Sequence, residues 1–235
     1  MQIGHMKFDG NPRIVVSITD EETNEALRSR DIDALEIRVD QFRNLDMTYI
    51  EKIIGARAQI GIPIILTVRN DPAEGASPCA CISDEQKLAI FESVAEWVDA
   101  FDIELRSPIF SALMDLAKSR ETMSIVSWHD FNTTPPTGEL ERILSLAGKK
   151  RADIVKIATH ARSMEDVRRL LAFTLQNADQ NLITIAMGRE GMISRLVFPM
   201  AGSLLTFSYV SHPTAPGQIP FDELKKDLNR YYFGI

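Results

Sequence analysis

Lys156 stands in an apolar run, Ile154-Val155-Lys156-Ile157-Ala158, whereas the other lysines fall in segments that read as helices, loops or tail. An ammonium buried without a partner is costly and tends to shed its proton. A neutral amine in such a place is a nucleophile that condenses with a ketone or aldehyde to form an imine. The alternative is a structural lysine paired with Glu36 or Glu104 across the barrel. Spacing alone leaves both readings open.

Of the four histidines, His129 closes another strand-like run, 123–129 (MSIVSWH). Imidazole titrates near neutrality and can take and return a proton within one cycle. Asp130 follows directly, but the alternation of side chains along a strand turns it to the opposite face, so it is not assigned as the orienting carboxylate. His160 and His212 read as polar loop residues, and His5 lies in the N-terminal tail. Arg195 and Gln218 fall in two late loops, 187–195 (MGREGMISR) and 214–218 (TAPGQ). A guanidinium and an amide from adjacent loops can grip a carboxylate. The pairs Glu36 and Arg38, Glu104 and Arg106, and Ser127 and His129 are each two apart and share a strand face, while Arg69 ends its own run. No histidine–carboxylate group has metal-ligand spacing, so no metal is expected. Cys79 and Cys81 are too close for an unstrained mutual disulfide and read as reduced thiols.

These residues sit on a regular rhythm. Eight β-branched, apolar runs are strand candidates: 13–18 (RIVVSI), 34–39 (ALEIRV), 63–69 (PIILTVR), 101–106 (FDIELR), 123–129, 154–159 (IVKIAT), 182–187 (LITIAM) and 204–210 (LLTFSYV). Helix-period segments lie between them. Residues 20–30 open with an acidic turn, Ser83 to Gln86 reads as a cap ahead of Leu88, Phe91, Val94 and Ala95, and 163–177 and 221–232 are amphipathic. Eight alternating units indicate a single-domain (β/α)8 barrel over 13–235, preceded by a tail at 1–12 in which Gly4-His5-Met6 has the look of a cloning remnant. The competing open, doubly wound sheet would place a glycine-rich phosphate turn after its first strand, where Ser17-Ile18-Thr19-Asp20 stands instead. In a barrel the strand C-termini carry the site, which is where the side chains above are found.

The composition, 45% hydrophobic and 25% charged with a net charge of −7, is that of a globular protein and disfavours nucleic acid or an anionic membrane as the main partner. No apolar run reaches the ~18 residues of a membrane span, and the start lacks a signal-peptide core, so a cytoplasmic location is expected.

Taken in order, the motifs resemble the type I 3-dehydroquinate dehydratase family over nearly the whole chain after residue 12. Glu36, Arg38 and Asp40 resemble its Glu-x-Arg-x-Asp strand. Thr67-Val68-Arg69 with Glu74-Gly75 resembles its next strand and loop, with Ala76 where a second glycine is common. Ser127-Trp128-His129-Asp130-Phe131, Val155-Lys156-Ile157-Ala158, Ala186-Met187-Gly188, Ser194-Arg195 and Ala215-Pro216-Gly217-Gln218 follow, with Thr214 in place of the usual serine. The resemblance implies a lyase that dehydrates 3-dehydroquinate to 3-dehydroshikimate, a shikimate-pathway step toward the aromatic amino acids, with no cofactor. It implies an imine on Lys156, His129 as general acid and base, and Glu74 orienting that histidine. By the same resemblance Arg195, Gln218 and Thr214 hold the substrate carboxylate, Glu36, Arg38 and Arg69 meet the ring hydroxyls, and Met187 packs on the ring. It also implies a homodimer.

Two other functions fit parts of the pattern. A class I aldolase or transaldolase would share the strand lysine but often takes phosphorylated sugars, for which no glycine-rich phosphate loop is evident. A catalytically dead barrel used for binding would not need Lys156, His129 and Arg195 together. An alanine at Lys156 is expected to end imine formation and leave no unpaired charge.

Overall fold

The computed structural model describes residues 1–72, 75 and 82–234. Glu74, Cys79 and Cys81 lie outside the described residues. A short hairpin of β1 (Gln2–Ile3) and β2 (Met6–Lys7) precedes the main sheet. Then come β3 (Ile14–Ile18), β4 (Ala34–Arg38), β5 (Ile64–Thr67), β6 (Ala100–Glu104), β7 (Met123–Asp130), β8 (Ile154–His160), β9 (Leu182–Met187) and β10 (Thr206–Tyr209). These eight strands are the eight expected from the sequence, with ends moved by up to two residues. They pair in parallel, each with its neighbour in the chain from β3 to β9, and β10 returns to pair with β3 through Thr206 and Ile14.

Between β9 and β10 the sheet curls closed without a regular ladder. The Leu204 N–H donates to Leu182 O at 2.9 Å, and Ser203 Oγ accepts from the Thr184 N–H at 3.0 Å. A two-residue strand, β11 (Ile219–Pro220), joins the free side of β10 by pairing Ser208 with Ile219. This is the (β/α)8 barrel architecture.

Both faces of the strands are covered, which explains their near-continuous apolar runs. Residues pointing outward, such as Val16, Ile37, Leu66, Ile103, Val126 and Ile157, form one core with the helices. Those pointing inward at the strand starts (Val15, Ala34, Ile65, Ala100, Ile125, Ile154 and Ile183) form a second core inside the barrel. The first dozen residues, expected as a tail outside the barrel, contribute to that second core. Ile3 and Met6 of the hairpin are buried in it and plug the barrel floor.

The surrounding helices are α1 (Asn24–Arg28), α2 (Met47–Ala58), α3 (Asp84–Val94), α4 (Phe110–Ser119), α5 (Thr137–Lys149), α6 (Met164–Gln176), α7 (Ser194–Val197) and α8 (Phe221–Leu228). Ser83 and Gln86 form the expected capping box of α3, and Ser163 caps α6. Residues 20–30 differ from expectation, because the helix begins only after a Thr23 cap. Asp20 is instead drawn into tertiary contacts, accepting from Arg43 Nε at 3.1 Å and Tyr49 Oη at 2.8 Å. The last helix stops at Leu228 and continues to Phe233 as a π-turn. No described helix is long and apolar enough to cross a membrane.

Candidate active site

Side chains alternate along a strand, so two residues above each inward floor position the chain again points into the barrel. That tier holds Ser17, Glu36, Thr67, Asp102, Ser127 and Lys156, all buried. Ile185 and Phe207 occupy the corresponding places on β9 and β10. Two residues higher stand Arg38, Arg69, Glu104, His129, Ala158 and Met187. An apolar floor thus supports a ring of polar groups at the C-terminal face.

Lys156 is the hub of the lower tier. Its Nζ donates to Glu36 Oε1 at 3.0 Å and to Asp102 Oδ2 at 2.9 Å, and lies 4.2 Å from the centre of the Phe207 ring. Its expected partners are Glu36 or Glu104. Glu36 is one, whereas Glu104 turns away to Lys87 and Asp102 takes its place. Both carboxylates are held by further donors: Ser17 Oγ and Thr67 Oγ1 on Glu36, Ser127 Oγ and Arg69 on Asp102. Burial pushes Glu36 upward, but Lys156 and Arg38 outweigh it and hold the group below the usual carboxylate range. Burial likewise opposes the charge on Asp102, and Arg69 and then Lys156 overcome it by a wide margin.

His129 is buried one tier up on the neighbouring strand, its ring nearly parallel to Phe131 with centroids 6.0 Å apart. Burial, and then the charges of Arg69 and Lys156, push its pKa well below the ordinary histidine value, so the imidazole is neutral at neutral pH. A neutral imidazole is ready to accept a proton. As expected, Asp130 turns away from the site and accepts the backbone N–H groups of Asn132 and Thr133. His160 sits against Gly188, and His212 is exposed.

Arg195, on α7, is 2% exposed. Its Nη1 reaches Phe207 O at 3.4 Å, while Nε and Nη2 have no partner among the described residues. Burial lowers its pKa to about 10, which leaves it charged at neutral pH. A buried cation with spare donors is prepared for an anion. Facing it, Gln218 shapes its own loop: its Oε1 accepts from the Thr214 N–H at 2.7 Å, and its Nε2 points to Ser17 Oγ at 3.4 Å and Thr214 Oγ1 at 3.2 Å. Gly217 has φ +75°, and a side chain there would meet Gly188 O at 2.4 Å, so only glycine lets the two loops cross this closely. Arg38 grips Asp40 with two donors and ties both rim loops, reaching Gly75 O at 2.9 Å and Thr214 O at 3.4 Å.

These groups line one cavity of ≈ 420 Å³, counting the space open at its mouth. Its walls include Glu36, Arg38, Arg69, His129, Lys156, Met187, Arg195, Thr214 and Gln218. The structure therefore gathers every site residue expected from the sequence, apart from Glu74. Sequence reasoning missed Asp102, although it shares a strand face with Glu104 and its carboxylate is level with Lys156. It also missed Phe207 and Phe131, whose strand and loop settings look like ordinary core. Arg106 stays outside the cavity and donates to His129 O at 2.9 Å. Among the described residues no group of three or more His, Cys, Asp or Glu side chains is arranged to hold a metal.

A family profile described as Type I 3-dehydroquinase matches residues 14–232. The chain belongs to the type I 3-dehydroquinase family. It is accordingly an enzyme of the type I 3-dehydroquinate dehydratase class. Its relatives include the 3-dehydroquinate dehydratase of Methanocella arvoryzae, 36% identical over 221 residues that cover 94% of this chain and 97% of that one. The Methanosarcina mazei protein of the same name is 36% identical over 235 residues, covering 96% and 97%. Among solved structures, type I 3-dehydroquinate dehydratase from Clostridium difficile, with covalently modified comenic acid, superposes with a TM-score of 0.89 at 29% identity over 100% of this chain and 98% of that one. The Geobacillus kaustophilus 3-dehydroquinate dehydratase gives 0.86 at 29% identity over 94% and 92%.

Proposed function

We propose that the chain dehydrates 3-dehydroquinate through an imine on Lys156, with His129 moving the protons. The observation that carries this reading is the lysine of the cavity wall: Lys156 stands beside a neutral, buried imidazole. The Lys156 ammonium passes one proton to His129, and neutral Nζ attacks the C3 ketone. The carbinolamine nitrogen gives a second proton to the new alkoxide. His129 returns its proton to the hydroxyl, so that the carbon–oxygen bond breaks, water leaves and a protonated imine remains. That imine carries the same positive charge as the ammonium it replaces, so Glu36 and Asp102 neutralise it without rearrangement. The electron sink acidifies C2, and His129 takes the proton to give an enamine. Electrons then return through the enamine, the C1–oxygen bond breaks, and His129 gives its proton to the departing hydroxyl. Hydrolysis of the imine frees 3-dehydroshikimate and Lys156, for a net loss of one water.

In this reading Arg195 supplies its two spare donors to the substrate carboxylate, with Gln218 and Thr214 closing over it. Glu36, Arg38 and Arg69 face the ring hydroxyls and Met187 packs on the ring. Glu74 orients His129 by family resemblance. The covalently modified ligand in the Clostridium difficile relative supports a covalent mechanism. The reading includes a cytoplasmic homodimer that needs no cofactor. The test is incubation with 3-dehydroquinate while conjugated-enone absorbance is followed, with borohydride added during turnover. Enone formation and substrate-dependent inactivation by borohydride are expected, and turnover insensitive to borohydride would reject the imine.

A further inference from the structure

Lys87 belongs to the buried stripe of α3 with Ile90, Phe91 and Val94, spaced three, four and seven residues on. An apolar residue is the ordinary occupant of such a stripe. Lys87 is nevertheless fully buried, and its Nζ donates to Glu104 and, at 3.3 Å, to Asn70 Oδ1. The other oxygen of Glu104 faces Arg69 Nη1 at 3.7 Å. Arg69 in turn reaches Asp102 at 2.8 Å and Ser127 Oγ at 3.0 Å, and the second oxygen of Asp102 holds Lys156. Alternating charges therefore run from the back of α3 to the amine, through Lys87, Glu104, Arg69, Asp102 and Lys156.

We propose that Lys87 is a positioning residue for imine formation: by neutralising Glu104 it leaves Arg69 to Asp102 and Ser127, and through Asp102 it fixes the reach of Lys156. The inference rests on the imine reading of Lys156. A buried carboxylate that loses its cation attracts the next one, because charges in a low-dielectric interior interact strongly. For Glu104 that next cation is Arg69. A guanidinium drawn toward Glu104 loosens its contacts with Asp102 and Ser127. Asp102 then closes on Lys156 and holds Nζ toward the floor, away from the cavity. Arg195 and the 214–218 loop lie across the barrel, so the grip on the carboxylate is left in place. The defect falls mainly on the covalent step, with a smaller rise in KM from the displaced Arg69.

The experiment is single-turnover reaction of the full chain with 3-dehydroquinate, quenched with borohydride and read by intact mass, beside steady-state kcat and KM. Lys87→Met is expected to slow adduct formation about tenfold, a coupling of ordinary size for one charged network, with a smaller rise in KM. Adding Glu104→Gln to it removes the orphaned charge and restores the rate; Glu104 is not among the cavity-lining residues. Where Lys87→Met does not fold, Lys87→Gln, which keeps a donor but no charge, is expected to show the same split between rate and KM. A wild-type rate in the folded single variant overturns the proposal, and so does a slow rate that the double variant fails to restore, since that is what a packing role alone would give. Wild-type protein that forms no adduct counts against the imine reading itself, whereas wild-type trapping with unaltered variants counts against Lys87 only.

Discussion

Asp102 Oδ2 lies 2.9 Å from Lys156 Nζ, and the other oxygen of the same carboxylate is 2.8 Å from Arg69. With Glu36 on the other side, the amine is held between two buried anions. This overturns the expectation that an alanine at position 156 would leave no unpaired charge.

Lys156→Ala is therefore expected to be destabilised as well as inactive. Breaking a buried pair costs roughly 3–5 kcal/mol. Because Ser17, Thr67, Ser127 and Arg69 remain on the two carboxylates, the loss falls at or below the low end of that range. Glu36 and Asp102 are held below their ordinary range, so the stability from their pairing is fully present above pH ~4 and is lost as pH falls through their folded values. The deficit of the variant should be full at neutral pH and shrink in acid. Urea unfolding at several pH values measures it, and a variant as stable as wild type at pH 7 would contradict the pairing.

His129 carries a second prediction. Its pKa is depressed, so the folded protein keeps the ring neutral while an unfolded chain takes up a proton as pH falls below ~6.5. The stability it contributes is present above that value and declines as pH falls below it. The acid limb of kcat/KM is likewise expected well below pH ~6.5. NMR titration of the ring together with a pH–rate profile decides this, and an acid limb at or above pH ~6.5 assigned to His129 would reject it. His129→Ala should lose about 10²- to 10⁴-fold in turnover and accumulate covalent intermediate.

Arg195 offers a third. Its unpartnered Nε and Nη2 predict that Arg195→Ala weakens productive binding by roughly 2–5 kcal/mol. Arg195→Lys should recover only part of this, because one ammonium cannot reproduce the fork. Steady-state kinetics on both variants give the answer. Full recovery by lysine would show that charge alone is read at this position.

Most of the fold was legible because buried parallel strands write themselves as apolar runs, and the polar interruptions within those runs marked the site. Lys156, Glu36 and His129 stood out for that reason. Asp102 did not, because Glu104, two residues on, looked like the better partner, and only the tier-by-tier geometry shows which carboxylate is level with the amine. Lys87 was hidden by its helix, where a lysine beside Leu88 reads as a solvated face until the stripe is seen to run through Ile90 and Phe91. The floor hairpin was hidden as well, since two-residue strands carry no periodicity. Residues 20–30 misled in the other direction, because acidic residues that suit a helix start were taken up by Arg43, Tyr49 and Thr19.

The central claim is that Lys156 is the nucleophile. Reduction with borohydride during turnover of 3-dehydroquinate, followed by proteolysis and mass spectrometry, reads it directly. The account predicts a single substrate- or product-derived adduct on the peptide containing Lys156, and none in Lys156→Ala. An adduct mapped to another lysine, with turnover retained in Lys156→Ala, would contradict it.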